Sequence, residues 1–195
     1  MIHKIKVSPS LVILIVICFV LDTYANLFAF LISAAIHEFG HLMLAKIKKI
    51  KIDSLELSIF GASIKAQGLP CSYGDEALLA LAGPVANLLS ALLCIPLVLW
   101  WDFEFLNTFC AASLGLAIFN LLPIKSFDGG RILSSILLQK YSQRVAHCAL
   151  EITSFIFLFF VWSVSVYFII RAQSCLPLFV FSGAIFLRMF VRERQ

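Results

Sequence analysis

Charge is what this chain of 195 residues has least of. Asp, Glu, Lys and Arg make up 13% of it, against 62% hydrophobic residues. A water-soluble domain cannot hide that much apolar surface, so the composition points to a membrane protein. Paired cysteines are missing too. The six, Cys18, Cys71, Cys94, Cys110, Cys148 and Cys175, form no C-x-x-C and mostly lie in or beside apolar runs. That argues against a disulfide framework or a second metal site and for small apolar packing residues. No internal repeat or low-complexity tract occurs. The length leaves no room for a soluble module beside several spans, so a single membrane-embedded domain over 1–195 is expected. A cleavage signal is also wanting. Lys4 and Lys6 precede the run Leu11 to Leu21 as in a secretory leader, but Thr23-Tyr24-Ala25 is a poor small-x-small match. A retained first span is the expectation.

What is present is a series of apolar stretches, at about 9–22, 25–45, 76–100, 104–123, 146–170 and 175–191. Each approaches the ~20 residues that cross a bilayer as a helix, so about six transmembrane helices are expected. The net charge of +4 is no nucleic-acid signal, because the basic residues gather at the ends of the apolar stretches. With a cytoplasmic N-terminus and alternating spans, all of the 15 basic residues except Arg171 fall on the cytoplasmic side. Asp22, Asp102 and Glu104 fall on the other side. The positive-inside rule therefore predicts a multi-pass protein of the cell membrane with its N-terminus in the cytoplasm.

Between the second and third stretches lies a polar segment, Lys46 to Asp75. Within it Leu55-Glu56-Leu57-Ser58-Ile59 alternates apolar and polar, Gly61 follows, and Ala62 to Ala66 forms a second short run. This pattern predicts a small β-hairpin at the cytoplasmic surface. The expected fold is thus all-α and polytopic, with that hairpin between the second and third spans. Asp128 to Lys140 reads as a short interfacial helix before the fifth span.

The chemistry concentrates at His37-Glu38-Phe39-Gly40-His41. The run Leu27 to Ala45 contains no Pro and a single Gly, so a helix is expected. On a helix, positions i and i+4 share a face, and both imidazoles can reach one Zn2+. Glu38 is placed to take the proton of a water that zinc acidifies. Two satisfied core histidines would be the plain alternative. Three ionisable groups within five residues of a span are costly, however, and a metal is the partner that offsets them.

A catalytic zinc usually keeps three protein ligands and an open position. Topology removes Asp22, Asp102 and Glu104 as the third. Asp128 follows the fourth span, lies on the same side as the two histidines, and adjoins Gly129-Gly130, whose φ freedom lets the backbone bend inward. Asp128 could also cap the helix that follows, and both roles could coexist. Glu151 and His147, four apart, stay open as alternative ligands.

Taken together, His37-Glu38-x-x-His41, Ala82-Gly83-Pro84-Val85-Ala86-Asn87, Asn120-Leu121-Leu122-Pro123 and Asp128-Gly129-Gly130-Arg131 resemble the site-2 protease family of intramembrane zinc metalloproteases. Their order and placement look most like the branch of stage IV sporulation protein FB. The motifs cover about residues 30 to 135. The resemblance implies zinc ligands at His37, His41 and Asp128, the catalytic glutamate at Glu38, and a substrate or oxyanion contact at Asn120. It matches Gly83, Pro84 and Asn87 to a structural motif on the third span. It implies a protein substrate at the membrane, such as a sporulation pro-sigma factor or an anchored regulator. Partners would be the lipid bilayer, regulatory membrane proteins or further copies of the chain. The pattern departs at Lys125-Ser126-Phe127, where the family often has a Pro and a Leu, and no PDZ or CBS module is expected. Two rivals remain: a metal-ion permease, which would need more polar residues along a path, and a non-catalytic scaffold with zinc held by four ligands.

Overall fold

The computed structural model describes residues 4–7, 24–50, 52–58, 61–66, 72–101, 103–172, 183 and 185. In chain order the elements are β1 (Lys4–Val7), α1 (Tyr24–Ile47), β2 (Ile52–Ser58), β3 (Gly61–Ala66), α2 (Tyr73–Trp100), α3 (Glu104–Asn120), α4 (Asp128–Lys140) and α5 (Gln143–Ala172). They fall into two compact units, Met1–Leu121 and Leu122–Gln195.

Two expectations are corrected. The fold is not all-α: in place of a two-stranded hairpin, the first unit carries a three-stranded sheet of order β1-β2-β3. β2 and β3 run antiparallel, with Leu55 opposite Ile64, and β1 adds in parallel, with Ile5 opposite Leu55. Six spans are not supported among the described residues either. Among the described residues three helices are long and apolar enough to cross a membrane: Asn26–Ile47, Tyr73–Trp100 and Gln143–Arg171. α3 falls in the expected fourth span but is 17 residues long, short of the ~20 that the hydrocarbon thickness requires. The stretch 9–22, with its expected retention, lies outside the described residues, as does nearly all of 175–191.

In the first unit, α1 ends in a complete Schellman closure. Lys49 takes the left-handed conformation, at φ 55°. Ile50 N–H then reaches Ala45 O at 2.9 Å, and Lys49 N–H reaches Lys46 O at 3.1 Å, satisfying carbonyls that a helix end leaves open. α2 starts as cleanly. Ser72 Oγ accepts from the Asp75 N–H at 3.1 Å and donates to Asp75 Oδ2 at 2.9 Å, a cap worth about 1 kcal/mol. Asp75 also pairs with Lys48 at 2.7 Å, tying the exit of α1 to the entry of α2.

α1, α2 and α3 pack on one another through small and hydroxyl side chains. Ala29, Ser33, Ala80, Ala91, Ser113 and Ala117 are all fully buried. Ser113 Oγ donates to Ser33 Oγ at 3.0 Å, and Thr108 Oγ1 to Asn26 Oδ1 at 2.9 Å. Ala91, Cys94 and Cys110 form a core patch with Val98, Leu106, Phe109 and Leu114 packed around it. The large apolar side chains face outward: Leu93 is 75% exposed and Trp100 86%. This is the arrangement expected where lipid is the solvent. Small residues let backbones approach, and interhelical hydrogen bonds contribute about 0.6 kcal/mol each.

In the second unit the turn before α4 is pinned to α5. The Lys125 N–H donates to Ser154 Oγ at 2.9 Å, and that hydroxyl donates on to Leu150 O at 2.6 Å. Ile124 and Leu158 are almost wholly buried. The segment Lys125-Ser126-Phe127 is therefore a fixed turn.

Candidate metal centre

α1 presents His37 and His41 one turn apart on a buried face, 6% and 4% exposed. Their Nε2 atoms lie 3.3 Å apart. The rings stand nearly perpendicular, at 83°, with centroids 4.9 Å apart. Two Zn–N bonds of ordinary length at a tetrahedral angle would separate the nitrogens by about 3.3 Å. The pair has the spacing that one ion would impose.

The facing helix α2 fixes the protonation of at least one ring. His41 Nδ1 lies 2.8 Å from Leu79 O. A carbonyl can only accept, so the hydrogen sits on Nδ1 and Nε2 keeps its lone pair. This orientation is the one a metal ligand needs. Leu79 O can accept from His41 within an intact helix because a carbonyl has a second lone pair to offer. Asn87, one turn beyond Gly83 on the same helix face, sets its side-chain Nδ2 3.4 Å from His37 Nδ1.

Gly83 makes the approach possible. A Cβ there would collide with His41 Nε2 and Cε1 and come within 2.9 Å of His37 Nε2. Glu38 is half-buried, one position along from His37. The donor chemistry, two buried imidazoles whose Nε2 atoms lie 3.3 Å apart with a glutamate next in sequence, fits Zn2+.

The other expected residues lie as follows. Asp128 is the first residue of α4, 7% exposed, with Oδ1 3.4 Å from Arg131 Nη1. Asp128 is not the N-cap residue: Phe127 occupies that position and makes no side-chain cap hydrogen bond. Nor do Gly129 and Gly130 bend the chain through unusual φ: both are helical and buried. Gly130 is needed instead for clearance, since a Cβ would strike Ile124 O. Asn120, half-buried at the end of α3, donates from Nδ2 to Leu116 O at 2.9 Å. His147 and Glu151 form a surface cluster. His147 Nδ1 is 3.1 Å from Glu151 Oε1, and Lys125 Nζ lies 3.2 Å from His147 Nε2 and 3.5 Å from Glu151 Oε1. A lysine ammonium in that position disfavours a cation, and this alternative ligand pair falls away.

Sequence reasoning missed Leu79 O altogether, because a backbone carbonyl carries no residue signature. It also treated Asn87 as packing. The available signal was the i, i+4 spacing of Gly83 and Asn87, which repeats the spacing of the two histidines.

The family pattern described as Peptidase family M50 matches residues 25–103 and 100–164. A zinc metalloprotease of Methanocaldococcus jannaschii is 32% identical over 124 residues, which are 60% of this chain and 36% of that protein. The chain thus spans about a third of that relative's length. The solved structure of the site-2 protease from Methanocaldococcus jannaschii superposes with a TM-score of 0.66, covering 96% of this chain and 89% of that one. At 21% identity that likeness establishes a shared fold. With the family pattern running through well over half of its length, including both histidines and Asp128, the chain belongs to Peptidase family M50, the site-2 protease family.

Proposed function

We propose that the chain is an intramembrane zinc endopeptidase that cuts a membrane-associated protein in or next to a transmembrane segment. His37, His41 and Asp128 hold Zn2+, and Glu38 is the general base. The observation that carries the reading is the buried Nε2 pair at 3.3 Å, with Leu79 O holding His41 in the metal-binding tautomer at 2.8 Å.

Asp128 is the ligand of choice for the third position because it is a buried carboxylate at the start of its helix. It also stands in the D-G motif of the family. Zinc, when bound, supplies Lewis acidity to the scissile carbonyl and to the attacking water. Glu38 accepts the water's proton and returns it to the leaving amine. Asn120 contacts the substrate or the developing oxyanion through its second amide N–H, the first being donated to Leu116 O. The active site faces the cytoplasm, a reading supported by the distribution of Lys and Arg. The finer reading, a sporulation protease acting on a pro-sigma factor or anchored regulator, rests on motif order alone.

The test uses full-length protein in detergent or nanodiscs with a membrane-anchored test substrate. Glu38→Gln should keep its zinc and lose cleavage by about 10²–10⁴-fold. Cleavage by that variant at the wild-type rate would sink the assignment. Cleavage unaffected by stripping zinc from the wild type would sink the enzyme class.

A further inference from the structure

Given the zinc-site reading, on which this inference rests, we propose that Asn87 is a positioning residue. Its carboxamide oxygen accepts the Nδ1 hydrogen of His37 and holds that imidazole in the metal-binding tautomer.

Asn87 is fully buried on α2, with one end of its carboxamide 3.4 Å from His37 Nδ1. With Nδ2 at that end, Oδ1 is buried and has no hydrogen-bond partner among the described residues. An acceptor in that condition is costly. The two ends of the group are nearly identical in size, so the surrounding donors and acceptors decide which faces the ring. Turning the carboxamide about its last bond brings Oδ1 to His37 Nδ1. His37 Nδ1 must then carry the hydrogen, and Nε2 is left with its lone pair facing that of His41.

The two histidines are thereby supported in the same way by one helix. Leu79 O serves His41, and Asn87 Oδ1 serves His37. The opposite carboxamide orientation suits the metal-free protein. Nδ2 then donates to His37 Nδ1, and the Nε2 hydrogen of His37 donates to His41 Nε2 across the 3.3 Å gap, so a proton stands where the cation would. An amide can serve both states by a half turn, because it carries a donor and an acceptor. A carboxylate at 87 could only accept and would favour the loaded form; an apolar side chain would favour neither.

The experiment measures Zn2+ affinity by chelator competition in full-length protein for wild type, Asn87→Leu, Asn87→Asp and His37→Ala. Asn87→Leu should bind zinc about 10–100-fold more weakly, while Asn87→Asp should stay within about threefold of wild type, since it keeps the acceptor that orients the ligand. Wild-type affinity in Asn87→Leu overturns the assignment. Equal weakening in both variants means that packing alone is at stake and overturns it too. A second readout needs no variant. In protein with ¹⁵N-labelled imidazoles, zinc-loaded His37 should carry its hydrogen on Nδ1. A bare Nδ1 in the loaded protein overturns the proposal. His37→Ala separates the two levels of inference. If it keeps zinc, the metal site itself is misplaced. If it loses zinc while Asn87→Leu does not, only the role of Asn87 is wrong.

Discussion

Position 83 has room for a hydrogen and nothing more. Both imidazoles lean over it, and a methyl group would meet His41 Nε2 and Cε1 at once. Alanine is a better helix former than glycine by about 1 kcal/mol, so Gly83→Ala should leave α2 intact and push the rings off their positions. Zinc affinity is expected to fall by more than about tenfold, as for loss of a supporting contact. Metal analysis after dialysis against a weak chelator checks this, and full retention of zinc would show that the rings can move aside freely. The residues that carry the chemistry differed in how far the sequence exposed them. His37 and His41 could be paired on paper because helical spacing alone brings them together. Asn87 could not, since its role depends on which face of α2 meets α1. Asp128 hung on a shift of one residue: the cap position belongs to Phe127, and Asp128 is the first helical residue.

At the scale of elements, the end of α1 stores a small strain. Lys49 sits at φ 55° in a closure that usually employs glycine, and a residue with a Cβ is disfavoured there by about 1 kcal/mol or more. Lys49→Gly should raise the thermal midpoint in detergent. A midpoint below wild type would mean that the lysine side chain contributes more than its backbone costs. The helices α1, α2 and α5 were legible as long apolar runs with few breakers. α3, at 17 residues, is shorter than the apolar stretch from which a span was expected, because hydropathy fixes where a helix is and not how far it runs. The third strand escaped for a different reason. β1 pairs with β2 across some 50 positions, Lys4 opposite Ser54, and a parallel neighbour that remote leaves no local pattern to read.

At the scale of the whole molecule, bound metal is a source of stability that can be switched off. An ion that binds the folded chain alone adds about 2.7 kcal/mol when present at a hundred times its dissociation constant. Chelation should therefore lower the melting midpoint of the wild type and leave that of His37→Ala unmoved. Equal shifts in both would place the stabilising ion elsewhere. The contacts that support the histidines also constrain traffic. α2 grips α1 through Leu79 O on His41, the carboxamide of Asn87 beside His37, the bare backbone of Gly83, and the pair of Lys48 with Asp75. Prising those two helices apart would take the supports from both imidazoles at the moment they are needed. That seam reads as a wall and not a doorway, and under the proposed function a peptide bound for cleavage would enter past some other side of α1.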